Sequence, residues 1–276
     1  RTISLIENEI QGHEELLQSL PTSHIPVIGI TGPPGAGKST LTDALIGELV
    51  KEGKKLAVLC VDPSSPFNMG ALLGDRIRMS EWYNHPNVFI RSLASRGSLG
   101  GLHPKIIEIT ELLKAAPVDY IIVETVGVGQ SEVEIAGLAD VTVVVLVPEA
   151  GDEIQTMKAG LLEIADIFVV NKSDRPLADQ LTKNLMQLSS MQKIIPVLKT
   201  IAHQKQGIKE LITSIFNHQQ QPHQVENKIH LLAQRAWLLI QNKRMKDVKM
   251  PELLGEIKTA YLNNHFNLYQ LVTKYS

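Results

Sequence analysis

Cysteine is almost absent from this chain: among 276 residues there is one, Cys60. A single thiol cannot close an internal disulfide or furnish the cysteine pairs of a zinc or iron–sulfur site, which points to a reducing, cytoplasmic setting. Charge of one sign is missing as well. Lys+Arg 27 against Asp+Glu 29 leave a formal net charge of −2, without the basic excess that nucleic-acid binding demands. Long hydrophobic runs are also lacking: the longest covers residues 141–147, about a third of the roughly 20 residues that span a bilayer. Nothing near Arg1 has the pattern of a signal peptide, and an Arg rather than a Met at residue 1 points to a trimmed chain. The expectation is therefore a protein with neither a membrane nor a nucleic-acid partner. Aromatic residues make up only 4% while hydrophobic content reaches 43%, so the core must be aliphatic strands covered by helices.

Residues 4–20 place Leu5, Ile6, Ile10, Leu16, Leu17 and Leu20 near helical spacing ahead of Pro21, which predicts a leading amphipathic helix. Short aliphatic runs then recur at 26–31, 56–61, 88–93, 120–123, 141–147, 167–170 and 194–198, mostly separated by helix-length segments. Runs apolar on both faces in this alternation predict an α/β fold built on a doubly wound, mainly parallel sheet. After the polar connector His218-Gln-Gln-Gln-Pro-His223 only helices are expected: 230–244, carrying Leu232, Trp237 and Ile240, and a last one opening at Pro251 with Leu254, Tyr261 and Leu271. The predicted organisation is an N-terminal helical extension over 1–25, a sheet domain over 26–216 and a helical C-terminal extension over 217–276. The apolar faces of that extension either cover the domain's own core or meet a second chain.

The first aliphatic run leads directly into Gly32-Pro-Pro-Gly-Ala-Gly-Lys-Ser-Thr40 and then into a helical pattern, the strand–loop–helix context of a phosphate-binding loop. Gly32, Gly35 and Gly37 allow the backbone to turn its N–H groups toward phosphate oxygens, with Pro33, Pro34, Ala36 and Thr40 completing the cradle. Lys38 is placed for the β- and γ-phosphates and Ser39 for a magnesium ion. Such a site needs a carboxylate at the end of a neighbouring strand, and two runs end in one, at Asp62 and at Glu124. An N-cap for Asp62 and a strand-end ion pair for Glu124 are the plainer alternatives. Gly127, three residues past Glu124, can set its N–H against a γ-phosphate and so register its presence, as a switch must.

The run at 167–170 ends in Asn171-Lys-Ser-Asp174, an N-K-x-D pattern that resembles the guanine-recognition motif of GTPases. Asp174 would accept hydrogen bonds from the guanine N1–H and exocyclic amine. Adenine does not present that pair, so a site built this way should reject ATP.

Together with Val61-Asp-Pro-Ser-Ser65, the block Val123-Glu-Thr-Val-Gly-Val-Gly-Gln-Ser-Glu132 closely resembles the MeaB/ArgK family, bacterial relatives of the human protein MMAA, from about Pro26 to the C-terminus. That resemblance implies a metallochaperone-class P-loop GTPase that binds GTP and GDP with Mg²⁺. It also implies a role as chaperone of adenosylcobalamin-dependent methylmalonyl-CoA mutase, in cofactor loading and protection. A homodimer formed through the C-terminal helices is implied too, which favours the second-chain reading of 217–276. Carried over by position, Asp62, Asp75 and Glu124 resemble the family's acidic magnesium or switch residues. Asp152, Gln155 and Lys158, in Gly151-Asp-Glu-Ile-Gln-Thr-Met-Lys158, resemble residues that signal the nucleotide state; spacing alone suggests only a solvated helix face. One departure is visible: Lys199-Thr-Ile-Ala202 puts Ile201 where the family has Ser, leaving the Ala202 N–H for the guanine oxygen.

The expected chemistry is slow, Mg²⁺-dependent hydrolysis of GTP, with Lys38, Ser39 and the loop amides stabilising charge on the transferred phosphoryl group. Gln130 is a polar candidate for holding the attacking water, and one of Arg76, Arg78, Arg91 and Arg96 a candidate for neutralising phosphate. Two other readings compete. One is an ATP-dependent kinase or ATPase linked to lysine, arginine and ornithine transport, which Asp174 opposes. The other is a metallochaperone delivering nickel, opposed by the solitary Cys60 and by scattered histidines, of which His103 and His223 read as surface residues.

Overall fold

A computed structural model describes residues 2–62, 79–94, 102–125, 131–150, 164–190, 195–219, 225–245, 247–248, 250–263 and 267–275. The inner aliphatic runs become strands because both their faces are covered. Every residue of β1 (Val27–Thr31), β5 (Val141–Leu146) and β6 (Ile167–Val170) is buried, as is all of β4 (Tyr120–Glu124) except Tyr120. With β2 (Leu56–Asp62), β3 (Val88–Ala94) and β7 (Val197–Lys199) they form one seven-stranded sheet in the order β3-β2-β4-β1-β5-β6-β7. All its pairings are parallel, as crossovers through helices require. The register sets Ile30 of β1 beside Glu124 of β4 and Val143 of β5. Helix α3 (Lys38–Lys51) follows β1 and seals the sheet with Leu41, Leu45, Ile46 and Leu49, each at most 1% exposed. A fully buried aliphatic side chain contributes about 1.5–3 kcal/mol, so this one face fixes where the helix begins relative to the strands.

Three aspartates clamp the opposite, amino-terminal ends of the strands in the same way. Asp119 donates its N–H to Lys55 O and accepts the Lys55 N–H at Oδ2, both at 2.7 Å. Asp140 does this with Val27 at 2.8 Å in both directions, and Asp166 with Thr142 at 3.0 and 2.9 Å. Each ring joins the residue just before one strand to the neighbouring strand. A one-residue slip would break the ring, so the aspartates fix register.

The leading amphipathic segment is not one helix. It divides into α1 (Thr2–Glu7) and α2 (His13–Gln18), because Glu9 and Gly12 adopt positive φ of 49° and 94° between them. The break lets Ile3 and Ile6 be buried while Ile10 stays exposed. Helix α1 packs near α4 (Ile106–Lys114), and Glu7 and Glu9 pair with Arg91 and Lys105. Among the described residues, the further helices beside the sheet are α5 (Ser131–Leu138), α6 (Ala178–Ser190) and α7 (Ile208–Gln219).

The chain forms two compact units, residues 1–228 and 229–276. The second carries most of α8 (Val225–Arg244), with α9 (Met250–Leu262) and α10 (Leu268–Tyr275), two helices where the sequence pattern suggested one. Lys274 and Glu256 join α10 to α9 at 2.8 Å. Trp237 is 64% exposed, and Ile240, Leu254 and Val272 are exposed as well. Among the described residues no helix is long and apolar enough to cross a membrane.

Candidate functional site

The loop between β1 and α3 depends on glycine at two places. Gly32 has φ 136°, and a Cβ there would lie 2.0 Å from Val145 O; Gly37 has φ 85°, and its Cβ would meet Asn171 Nδ2 at 2.5 Å. Gly37 is also the N-cap of α3 and offers no side-chain cap, so the positive end of the helix dipole faces the loop. Within the loop Pro33 and Ala36 are buried, Pro34 and Gly35 are exposed, and Thr40 is half-buried. Lys38 is buried, its Nζ donating to Gly32 O at 2.8 Å and Pro33 O at 3.1 Å.

Glu124 closes the neighbouring strand with only 4% of its surface exposed. Ser39 Oγ donates to its Oε1 at 2.6 Å and Thr42 Oγ1 to its Oε2 at 2.8 Å. Just beyond it, Thr125 Oγ1 donates to Thr31 Oγ1 at 2.8 Å and the Thr125 N–H to Ile30 O at 3.0 Å, which ties the ends of β4 and β1 together.

The N-K-x-D turn follows β6 and grips the same loop. Asn171, buried, donates from Nδ2 to Ala36 O at 2.9 Å, while Lys172 Nζ reaches Gly35 O at 2.7 Å. The Asn171 amide is oriented from behind: its Oδ1 accepts from Thr200 Oγ1 at 3.1 Å and from the Ala202 N–H at 3.2 Å. The Ser173 N–H donates to Thr200 O at 3.1 Å, and Asp174 is exposed beside this frame. Ala202, expected to offer its N–H to a base, thus uses it to hold Asn171.

Lys38, Ser39 and Glu124 are brought together, and so are the loop and the N-K-x-D turn. Asp62 ends β2 opposite Ala94, its side chain lying outside the described residues. Asp75, Gly127, Gln130, Asp152, Gln155 and Lys158 also lie outside them, with Arg76, Arg78, Arg96 and His223. Two expectations are corrected. Arg91 sits in mid-strand on β3 opposite Leu59 and pairs with Glu7, away from the phosphate loop. His103 is no surface residue: it is 2% exposed and accepts the Lys105 N–H at 3.1 Å. Among the described residues no three His, Cys, Asp or Glu side chains gather to hold a metal. Thr42 and Thr200 are the side chains sequence reasoning missed; for Thr42 the available signal was its place one helical turn after Ser39.

Glu134 of α5 is half-buried, and burial pushes its carboxyl above the usual carboxylate range against a lowering hydrogen bond from the Leu102 backbone. A groove of 790 Å³ lined by Ile3, Leu56, Val88, Phe89 and Leu112 lies beside the starts of β2 and β3 and shares no residue with the phosphate site. The site sits instead where glycines, a helix N-terminus and strand-end polar groups converge, at the carboxyl ends of β1, β4 and β6.

The chain is similar to known proteins in sequence and in fold. A solved structure titled LAO/AO transport system kinase superimposes with a TM-score of 0.69 at 26% identity, covering 99% of this chain and 89% of that one. HypB from Helicobacter pylori, solved in complex with nickel, matches in fold at 16% identity and a TM-score of 0.51 over 79% of this chain and 95% of its own. A Pyrococcus abyssi protein that carries GTPase in its name is 44% identical over 94% of this chain and 78% of its own length. The methylmalonic aciduria type A homolog of mouse mitochondria is 36% identical over 80% of this chain and 57% of its own. The family model described as methylmalonyl Co-A mutase-associated GTPase MeaB matches residues 1–251, and the chain belongs to that family of GTPases.

Proposed function

We propose that this GTPase binds GTP and GDP with Mg²⁺ in the cytoplasm and couples slow GTP hydrolysis to the assistance of adenosylcobalamin-dependent methylmalonyl-CoA mutase, in cofactor loading and protection. The observation that carries the nucleotide part is the double clasp of Asn171 and Lys172 on the carbonyls of Ala36 and Gly35. With those carbonyls held outward, the loop amides are free to face phosphate, and Asp174 reads guanine from the same turn. Lys38, already bound to loop carbonyls, moves its charge onto phosphate oxygens. The donors near the loop suit Mg²⁺, a hard cation that takes oxygen ligands: the Ser39 hydroxyl and the Glu124 carboxylate would hold it, with Asp62 and Asp75 as further carboxylates. When bound, the ion neutralises charge that develops on the phosphates. Gly127 and Gln130 are assigned to sensing the γ-phosphate and holding water, and Asp152, Gln155 and Lys158 to signalling. The mutase follows from the family's descriptive name, and a homodimer from the apolar surface of residues 229–276.

Likeness to a protein called a transport system kinase favours a second reading, in which the nucleotide would be ATP. One experiment separates the two: measure GDP and ADP binding side by side, then pass the mutase over the immobilised protein with GDP or a non-hydrolysable GTP analogue. Tighter GDP binding and nucleotide-dependent mutase capture are expected. Tighter ADP binding overturns the GTPase assignment, and capture indifferent to nucleotide overturns the chaperone role.

A further inference from the structure

Thr42 is a fully buried polar residue on the aliphatic face of α3, flanked by Leu41, Leu45 and Ile46. Its hydroxyl has one proton and two acceptors in reach, Glu124 Oε2 at 2.8 Å and Lys38 O at 3.0 Å. Threonines inside other helices send that proton to the carbonyl one turn back: Thr110 to Ile106 O at 2.7 Å and Thr182 to Ala178 O at 2.8 Å. At Thr42 this bond is the longer of two, and the carboxylate, an ionised acceptor, takes the proton. Ser39 donates to the other oxygen of Glu124 at 2.6 Å, so both oxygens are held from one helix. A carboxylate buried this deeply is costly without donors on it.

The two hydroxyls have different duties in the proposed function. Ser39 is assigned to the metal through a lone pair of its hydroxyl, so its bond to Glu124 is tied to the ion. Thr42 donates to the other carboxylate oxygen without a share in that assignment and orients Glu124 independently of Ser39. We propose that Thr42 is a positioning residue for Mg²⁺, acting through Glu124 rather than touching ion or nucleotide. This inference rests on the GTP and Mg²⁺ reading above.

The test is calorimetric titration of GDP into the wild type, Thr42→Val and Thr42→Ser, in Mg²⁺ and in EDTA, with thermal melts of each protein. In EDTA, Thr42→Val should bind GDP within about twofold of wild type, whereas the gain in affinity conferred by Mg²⁺ should fall about 10- to 100-fold, as it does when partners of metal ligands are removed. Thr42→Ser should restore most of that gain. If Thr42→Val does not fold, Thr42→Ala removes the same hydroxyl and is read the same way. An undiminished Mg²⁺ gain in the hydroxyl-free variant overturns the proposal, as does an equal loss of affinity with and without Mg²⁺. A wild type that binds no GDP in either buffer instead overturns the nucleotide reading itself.

Discussion

Asp174 is exposed where Asn171, three residues earlier, is buried, and that contrast divides their work. Asn171 is fixed by bonds to Ala36, Thr200 and Ala202 and serves the frame, which in the proposed function leaves Asp174 to meet the ligand. Replacing Asp174 with Asn exchanges an acceptor for a donor at the guanine amine. GTP affinity should fall by at least about 100-fold and xanthine nucleotide should become the preferred ligand in competition titrations; unchanged GTP binding would refute the base-reading role. The motif residues were legible because their chemistry imposes fixed spacings. Thr42 was not, since the partner that explains it lies 82 positions away in sequence; its place one helical turn after Ser39 sets it on the right face but does not separate it from a threonine bonded to its own helix. His103 misled for a related reason: a polar residue outside any apolar run gives no sign of being packed beneath a helix start.

At the scale of elements, aliphatic runs revealed the inner strands because burial on both faces leaves no room for alternation, whereas β3 and β7, at the two sheet edges, are only partly buried. The helix breaks were hidden. Glu9 and Gly12 interrupt an unbroken apolar spacing, and it is their left-handed backbone, invisible in hydropathy, that separates α1 from α2. The aspartate clamps were equally unread, although Asp stands immediately before three of the runs, at 119, 140 and 166. Asp140→Ala removes the acceptor of the Val27 N–H between the central strand β1 and its neighbour β5, at an expected cost of about 1–2 kcal/mol. Urea unfolding should show that loss, and Asp140→Asn, which keeps a carbonyl oxygen, should show less of it. Equal losses for both variants would mean that charge rather than the ring holds the register.

For the molecule as a whole, the two compact units differ in how they treat apolar surface. The sheet unit buries most of its aliphatic residues, with Ile10 and Leu177 as exposed exceptions, while residues 229–276 expose Trp237, Leu238, Ile240, Leu254 and Val272. So much exposed apolar area suits an interface between copies. Light scattering after size exclusion should find a dimer that Trp237→Glu converts to monomer; a monomeric wild type would remove dimerisation from the proposal. The clasp of the N-K-x-D turn on the phosphate loop reaches further than recognition. Because Asn171 and Lys172 hold the very peptide units whose amides are proposed to meet phosphate, order imposed on one half of the proposed nucleotide site is order the other half would no longer have to supply. Linkage makes that benefit mutual, so guanosine and pyrophosphate offered as separate molecules would each strengthen the other's binding, and the protein would recognise the intact nucleotide by more than the sum of its parts.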